Sequence, residues 1–419
     1  VATAAQVVEA VFRRESARLI AGLTRVLRGD VGLAEDLAQD ACLLALEQWP
    51  RSGVPDNPGA WLMATARHRA VDRLRHARMA DGKHQQIGQA LDDASGAPDL
   101  DTALDDNIGD DLLGLMFIAC HPVLAAEARV ALTLRLTAGL TTEEIARAYL
   151  VPVSTIQQRI VRAKRTLSAA GVPFEVPRGD ALAARVTSVL EVTYLIFNEG
   201  YSATAGDEWM RPALCEEALR LGRILAELVP DHAEAHGLVA LMELQSSRTA
   251  ARTDASGQPV LLLDQDRTRW DQDRIQRGRV ALRRVTSLKG SVGPYALQAA
   301  IAGCHAFART AEETDWTTIV ALYDALVQVA PSPVVQLNRA VALAMAFGPV
   351  AGLEVVDALR SEPLLKDYHL LPSVRGDLLL KLGRFAEARA AFEEAAAMTG
   401  NAREQALLHQ RAAACVPTG

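Results

Sequence analysis

Aromatic side chains are scarce, at 5% of 419 residues, while 50% are hydrophobic. That aliphatic, alanine- and leucine-rich balance suits a helical protein. Cysteine is scarce too. Cys42, Cys120, Cys215, Cys304 and Cys415 lie far apart and form no CxxC pair. The spacing excludes a disulfide framework and fits reduced, mostly buried thiols in the cytoplasm. No apolar run is long enough to span a bilayer and no secretory signal segment stands out, so no membrane partner is expected. No nucleophile–base pair, phosphate loop or redox motif rises above chance, so neither an enzyme nor a cofactor is expected. The net charge of −7 would exclude a nucleic-acid binder if charge were spread evenly. It is not. The length suits two or three domains.

The stretch Leu140–Leu167, LTTEEIARAYLVPVSTIQQRIVRAKRTL, is the strongest local signal. It predicts two short helices and a tight turn. Thr142 is placed to cap the first, with Glu143 and Glu144 where the helix dipole favours acids. Ile145, Ala146, Tyr149 and Leu150 make its apolar face. Pro152 breaks the pattern. Ser154 then starts a second helix that buries Ile156, Ile160, Ala163 and Leu167. Its other face is Thr155, Gln157, Gln158, Arg159, Arg162, Lys164 and Arg165, with no acid. Gln and Arg pair with base edges, and Lys and Arg neutralise phosphates. This is the sequence form of a helix-turn-helix. The bland alternative is a helical hairpin with a solvated basic face.

Earlier in the chain, residues 4–27 predict a helix burying Val7, Val8, Val11, Phe12 and Leu19. A second follows in GLAEDLAQDACLLALEQW, with Leu33, Leu37, Ala41, Leu44 and Trp49 on one face and Glu35, Asp36, Gln39 and Asp40 on the other. A loop, Pro50–Gly59, separates it from a third helix, AWLMATARHRAVDRLRHAR. There Trp61, Leu62, Ala66, Ala70, Val71 and Leu74 pack inward. Arg67, His68, Arg69, Arg73, Arg75, His76 and Arg78 project outward, with Asp72 the only acid. Solvated helices usually mix signs, and a one-sign face with an aromatic at its start fits nucleic acid better.

These pieces in this order resemble a bacterial RNA polymerase sigma factor of the sigma-70 family, extracytoplasmic-function type, over roughly the first 170 residues. The resemblance makes residues 1–79 region 2, 80–111 a linker and 112–170 region 4. It implies that Glu35, Asp36, Gln39 and Asp40 meet core RNA polymerase at the β′ clamp, with a further contact at the β flap. It implies that Trp61, Arg67, His68, Arg69 and Arg73 serve the −10 element of promoter DNA. Strand opening needs an aromatic at the fork and cations along the single strand, and these are the right types. It implies that Ser154, Thr155, Gln157, Gln158, Arg159, Arg162, Lys164 and Arg165 read the −35 element. Two departures matter: many members carry a basic residue at the place of Gln157, and the usual short acidic lead-in to region 4 is replaced by ACHPVLAAEARVAL. Promoter preference is therefore not carried over.

Between the two regions, residues 80–111 hold nine aspartates against Lys83 alone, a surplus that exceeds the whole chain's imbalance. Their Gly, Ser, Pro and Asp content predicts a mobile linker. About thirty residues at about 3.4 Å each reach about 110 Å, ample for two promoter elements about 58 Å apart.

After a turn-rich hinge, GVPFEVP, the chain reads as helix after helix. Hairpins are predicted at Cys215–Leu244 with Pro230 at the turn, at Trp316–Met345 with Pro331 and Pro333, and at Tyr368–Ala397. In the last, Gly376, Leu379, Leu382, Gly383, Phe385, Ala388 and Phe392 sit where a tetratricopeptide hairpin interlocks small and large residues. The expected fold class is all-α: two small helical sigma domains followed by a TPR-like helical-repeat domain over 180–419 that modulates activity through an intramolecular contact or a signalling partner. The segment YLIFNEGY from Tyr194 and LLLDQDRTRWDQDRI look like signatures of a sigma subgroup with such an extension. His232, Glu234 and His236 offer two histidines one turn apart, but no third metal ligand is evident. Asn198, Glu199 and Tyr201 either line a pocket or bond helix ends. The mixed-sign run from Asp264 to Arg279 is either a solvated face or a contact surface. The rival reading of the whole chain is a stand-alone helix-turn-helix regulator with a ligand-sensing C-terminal domain. The region-2-like helices argue against it.

Overall fold

The computed structural model describes residues 4–82, 108–149, 151–177, 179–203, 205–206, 209–288 and 292–416. They form two compact units, Val1–Val192 and Thr193–Gly419. Each is helical, as the aliphatic composition dictates.

The first unit begins with α1 (Ala4–Val26), α2 (Val31–Ser52) and α3 (Pro58–Gly82), packed on one another. Asp30 caps α2 by accepting from the Leu33 amide at 2.9 Å. Gly53 ends it at φ 82°, a conformation in which any side chain would be strained. The core between these helices is Leu19, Ile20 and Leu23 against Leu37, Ala41, Ala45 and Trp49, closed by Leu62, Ala66 and Ala70. Alanines at this seam let the helix axes approach closely, and each buried leucine stabilises by about 1.5–3 kcal/mol.

Next come α4 (Ile108–Ala119), α5 (Ala126–Leu136), α6 (Thr142–Ala148) and α7 (Val153–Ala169). Most of the segment read as an acidic linker, residues 83–107, lies outside the described residues. Its two ends do not behave as linker. Residues 80–82 complete α3, and Asp111 is buried in α4, with Arg25 of α1 at 3.5 Å. Here α4 packs against α1 and α5. The segment read as a hinge is also packed in: the Phe174 ring lies where a Cβ on Gly114 of α4 would meet it at 3.2 Å. The opening turns of α8 (Asp180–Tyr201) close this unit through buried Val186, Val189, Leu190 and Val192. Arg129 donates to Ser188 Oγ at 2.9 Å, and Ser188 in turn bonds the Cys120 carbonyl.

The second unit stacks helical hairpins. Its helices are α9 (Pro212–Leu228), α10 (Ala233–Ser246), α11 (Gln272–Ser287), α12 (Pro294–Phe307), α13 (Trp316–Val329), α14 (Pro333–Phe347), α15 (Pro349–Leu359), α16 (Leu370–Lys381), α17 (Phe385–Met398) and α18 (Ala402–Ala413). All three predicted hairpins are present, as α9–α10, α13–α14 and α16–α17. Prolines stand at the first turns because an amide is dispensable there. In α16–α17 the small-against-large packing is explicit: a Cβ on Gly376 would sit 2.8 Å from the ring of the fully buried Phe392. A short parallel pair, β1 (Ala205–Gly206) with β2 (Gly400–Asn401), ties the start of the unit to its end, helped by Asn401 Nδ2 donating to the Ala203 carbonyl at 3.2 Å.

Several residues singled out in sequence act as struts in this unit. Glu234 accepts from the Tyr295 and Ala296 amides at 2.8 and 3.1 Å and so caps α12. Glu199 pairs with Arg211. Arg248 donates to the Tyr201 hydroxyl at 2.7 Å, and the Arg252 guanidinium lies 3.6 Å above the Tyr201 ring. The mixed-sign run contributes intramolecular contacts. Arg274 reaches Glu216 at 2.6 Å and Arg277 reaches buried Glu243 at 3.0 Å.

His305 makes this unit pH-sensitive. Burial, then the charges of Arg248 and Arg267, push its pKa down to about 4. An unfolded histidine titrates near 6.5, so the unfolded chain takes up the proton first as pH falls. The contribution of neutral His305 is therefore complete above about pH 6.5 and fades as pH drops toward 4. Stability should be about 2 kcal/mol lower at pH 5 than at pH 7 on this account. Urea unfolding followed by tryptophan emission at both pH values checks it: His305→Gln should remove that part of the pH dependence.

Candidate nucleic-acid and polymerase interface

Helix α7 forms because its apolar residues recur at 3.6-residue spacing, and the buried set is Ile156, Ile160, Ala163 and Leu167, as the pattern predicts. It docks by that face on α5 and α6. The opposite face presents Ser154, Gln157, Gln158, Arg162 and Arg165 in the open, with Thr155, Arg159 and Lys164 half-buried. No acid interrupts it. The helix begins at Val153, one residue before the predicted start, and its N-cap Pro152 offers no side-chain bond to the first turn. First-turn amides left in this way suit a phosphate oxygen. The preceding α6 is capped by Thr141, not Thr142. Thr141 Oγ1 accepts from the Glu144 amide at 3.1 Å, while Glu144 Oε2 accepts from the Thr141 amide at 2.8 Å. This reciprocal box fixes the angle at which α6 enters the turn. Ile145 and Ala146 are buried as expected and Tyr149 is half-buried; Leu150 lies outside the described residues.

On α3, His68 and Arg73 are exposed and Arg67 and Arg69 half-buried. Arg69 is already paired, with Asp40 of α2 at 3.1 Å. Trp61 is half-buried and packs its edge on the Trp49 ring, with centroids 5.4 Å apart. The loop ahead of it is shorter than predicted, because α2 runs on to Ser52 and α3 begins at Pro58. Asn57 caps α3 by accepting from the Ala60 amide at 3.1 Å. The side chains of Arg75, His76 and Arg78 lie outside the described set.

The outer strip of α2 differs most from the sequence expectation. Asp36 is exposed, and Gln39 and Asp40 are half-buried. Glu35, read as a surface acid, is only 4% exposed. Arg135 Nε donates to its Oε1 at 2.5 Å and Lys164 Nζ lies 2.6 Å from its Oε2. Gln39 Nε2 adds a bond to Oε1 at 2.9 Å. Burial pushes this carboxyl up, but the Lys164 and Arg135 cations together outweigh burial and hold it below its ordinary value. Two leucines that the sequence did not single out stand in the open beside Asp36: Leu43 at 58% and Leu46 at 38% exposure. Their spacing from Asp36, seven and ten residues, puts all three on one face, and that spacing was the available signal.

Three family descriptions match the chain. Sigma-70 region 2 matches residues 12–79. Sigma-70, region 4 matches residues 115–167. A family of unknown function, DUF6596, matches residues 185–286. An uncharacterized protein of Rhizobium meliloti (strain 1021) is 43% identical over 91% of this chain and 90% of its own length. The ECF RNA polymerase sigma factor SigK of Mycobacterium sp. (strain KMS) is 31% identical over 36% of this chain and 76% of its own length. The ECF RNA polymerase sigma factor SigC of Mycobacterium tuberculosis (strain CDC 1551 / Oshkosh) is 30% identical over 35% and 75%. Among solved structures, the crystal structure of the yeast Tom70 covers 98% of this chain and 87% of that one at 10% identity and a TM-score of 0.37, too distant a likeness to bear on the argument. With regions 2 and 4 matched in order, and sigma factors among its relatives over most of their length, the chain belongs to the sigma-70 family, as an RNA polymerase sigma factor of the ECF type.

Proposed function

We propose that the chain directs core RNA polymerase to a subset of promoters by setting α7 in the major groove of the −35 element and residues 53–73 against the −10 element. The acid-free outer face of α7 carries this reading. Gln157, Gln158 and Arg162 supply base-edge donors and acceptors. Ser154, Arg159, Lys164 and Arg165 supply phosphate contacts. The strip of Asp36, Gln39, Leu43 and Leu46 on α2 is assigned to the β′ clamp, and region 4 to the β flap. Trp61, Arg67, His68 and Arg73 would line the opened strand. The repeat unit is assigned a modulating role, required for transcription and gated by signal.

Run-off transcription with purified chain and core polymerase tests the whole reading. Binding of −35 duplexes tests its sharpest part. Gln158→Ala and Arg162→Ala should each weaken binding about ten- to hundredfold, since a paired base contact is worth about 1–3 kcal/mol. The loss should vary with the base pair offered. Loss of a lysine-type phosphate contact would instead weaken all sequences alike and lower the salt dependence. Wild-type affinity in both variants would remove α7 from the role.

A further inference from the structure

We infer that the last turn of α8 and the exit of α10 form a receptor for a small oxyanion, the phosphate or carboxylate group of a small molecule, gripped by Arg248 and Arg252. Three arginines crowd this corner of the second unit. Arg248 is the centre, since its charge acts on Arg252, on Arg267 and on His305. Arg248 and Arg252 also share one ring, their guanidinium carbons lying 5.9 and 3.6 Å from the centroid of Tyr201. Among the described residues neither has a carboxylate partner. Glu199, two residues before Tyr201, is paired with Arg211.

Arg267 is accounted for without a ligand. It donates to the His305 and Ala308 carbonyls at 2.6 and 2.8 Å and to Thr314 Oγ1 at 3.2 Å, and so caps the end of α12. The other two are different. A guanidinium carries five N–H donors. Arg248 gives one to the Tyr201 hydroxyl at 2.7 Å, and Arg252 gives one to the Tyr201 carbonyl. Among the described residues these are the only hydrogen bonds of the two guanidinium groups. Yet Arg252 is only 7% exposed. The faces of Tyr201 and Trp209, at 3.6 and 5.3 Å, offset part of the cost of a buried cation. They supply no oxygen pair for its planar fork. His305 adds an independent sign: its Nδ1 is buried with no partner, in a residue only 9% exposed that feels the same Arg248 charge. A small anion answers both the spare donors and the repulsion between the arginines. The burial of Arg252 sets the size of the guest: a terminal phosphate or carboxylate reaches it, and a duplex or a folded surface does not. Binding at this site does not depend on the promoter reading. Any control it exerts on transcription rests on the modulating role assigned to the repeat unit.

Titration of the full chain with inorganic phosphate and, separately, with malonate tests the site. Ionic strength is matched with chloride, and tryptophan emission is followed because Trp209 flanks Arg252. One or both anions should give a saturating change with half-saturation at about a millimolar or below. Phosphate alone marks a phosphoryl ligand, and malonate alone a carboxylate ligand. Arg248→Gln should raise the half-saturation about ten- to a hundredfold. Arg248→Lys keeps the charge and loses the fork, and should raise it by a smaller factor. Arg252→Gln should abolish the change. Arg248→Gln, at a half-buried position, stands in if circular dichroism shows that Arg252→Gln does not fold. Arg339→Gln, which breaks an ion pair with Asp324 elsewhere in the unit, should titrate as wild type. No saturating change with either anion overturns the receptor and leaves the two arginines as braces of Tyr201. So does a change that survives in a folded Arg248→Gln or Arg252→Gln chain, which would place the anion elsewhere, as on the basic faces of α3 or α7.

Discussion

Asp36→Arg together with Leu43→Asp in the full chain should abolish its recovery on immobilised core RNA polymerase while leaving the helices intact. Both side chains are exposed on α2, Leu43 at 58%, and neither supports the core of its unit. An exposed leucine beside an exposed acid makes an apolar anchor with a charged rim. Burying the leucine at an interface is worth about 1.5–3 kcal/mol, and replacing it by a charge adds a desolvation cost. Reversing the rim charge acts mainly on encounter and orientation. Together they should weaken docking by about a hundred- to a thousandfold, at roughly 1.4 kcal/mol per decade. Asp40 is a poorer target than the sequence implied, because its carboxylate already faces Arg69 at 3.1 Å. Glu35 is poorer still, since its replacement acts inside the protein. Co-purification at wild-type level, with helical circular dichroism unchanged, would remove α2 from the polymerase interface.

What was legible in the sequence is what local periodicity and punctuation encode. The buried face of α7 is right residue by residue because an amphipathic helix states its inner side in every turn. The three hairpins are right because prolines mark the turns of the first two, and Gly383 at the turn and Gly376 at the crossing mark the third. The cap of α6 is displaced by one residue because Thr141 and Thr142 are chemically alike and only the reach of Glu144 decides between them. Glu35 was placed on the wrong side of α2 for a different reason. Nothing in AEDLAQD distinguishes its carboxylate from that of Asp36. Burial became affordable only through Arg135 and Lys164, which no local pattern connects to it. Asp111 shows the same limit: composition placed it in the acidic linker, and Arg25 of α1 holds it in a helix. Leu43 and Leu46 are a different case: their spacing from Asp36 carried a signal, but the outer strip was read from its polar residues alone.

The structure also moves the natural place to divide the chain. A cut near residue 178, which the hinge-like GVPFEVP invites, would strip Val186, Val189, Leu190 and Val192 from the first unit and leave the Cys120 carbonyl without Ser188. Any change in transcription would then mix loss of the repeat unit with damage to region 4. A substitution deep inside the second unit separates the two.

Phe392→Ala is that substitution, and it should cost about 3–5 kcal/mol of the second unit's stability. The ring is fully buried, fills the space left by Gly376 and lies under the Arg411 guanidinium at 4.4 Å. Truncation leaves a cavity where α16 and α17 cross, and a stack of hairpins transmits stability chiefly between neighbours. The terminal helices α16, α17 and α18 should therefore open first, seen as faster amide exchange there. The ring belongs to the second unit, so −35 binding and polymerase docking by the first should remain. Run-off transcription then reports on the repeat unit alone. A required positive role predicts that transcripts fall severalfold or more at a temperature where the terminal helices are open, with the variant still bound to polymerase. Transcripts rising above wild type would make the unit a lid. Transcription unchanged, with exchange proving the helices open, would defeat both assignments and leave the repeats without a part in initiation.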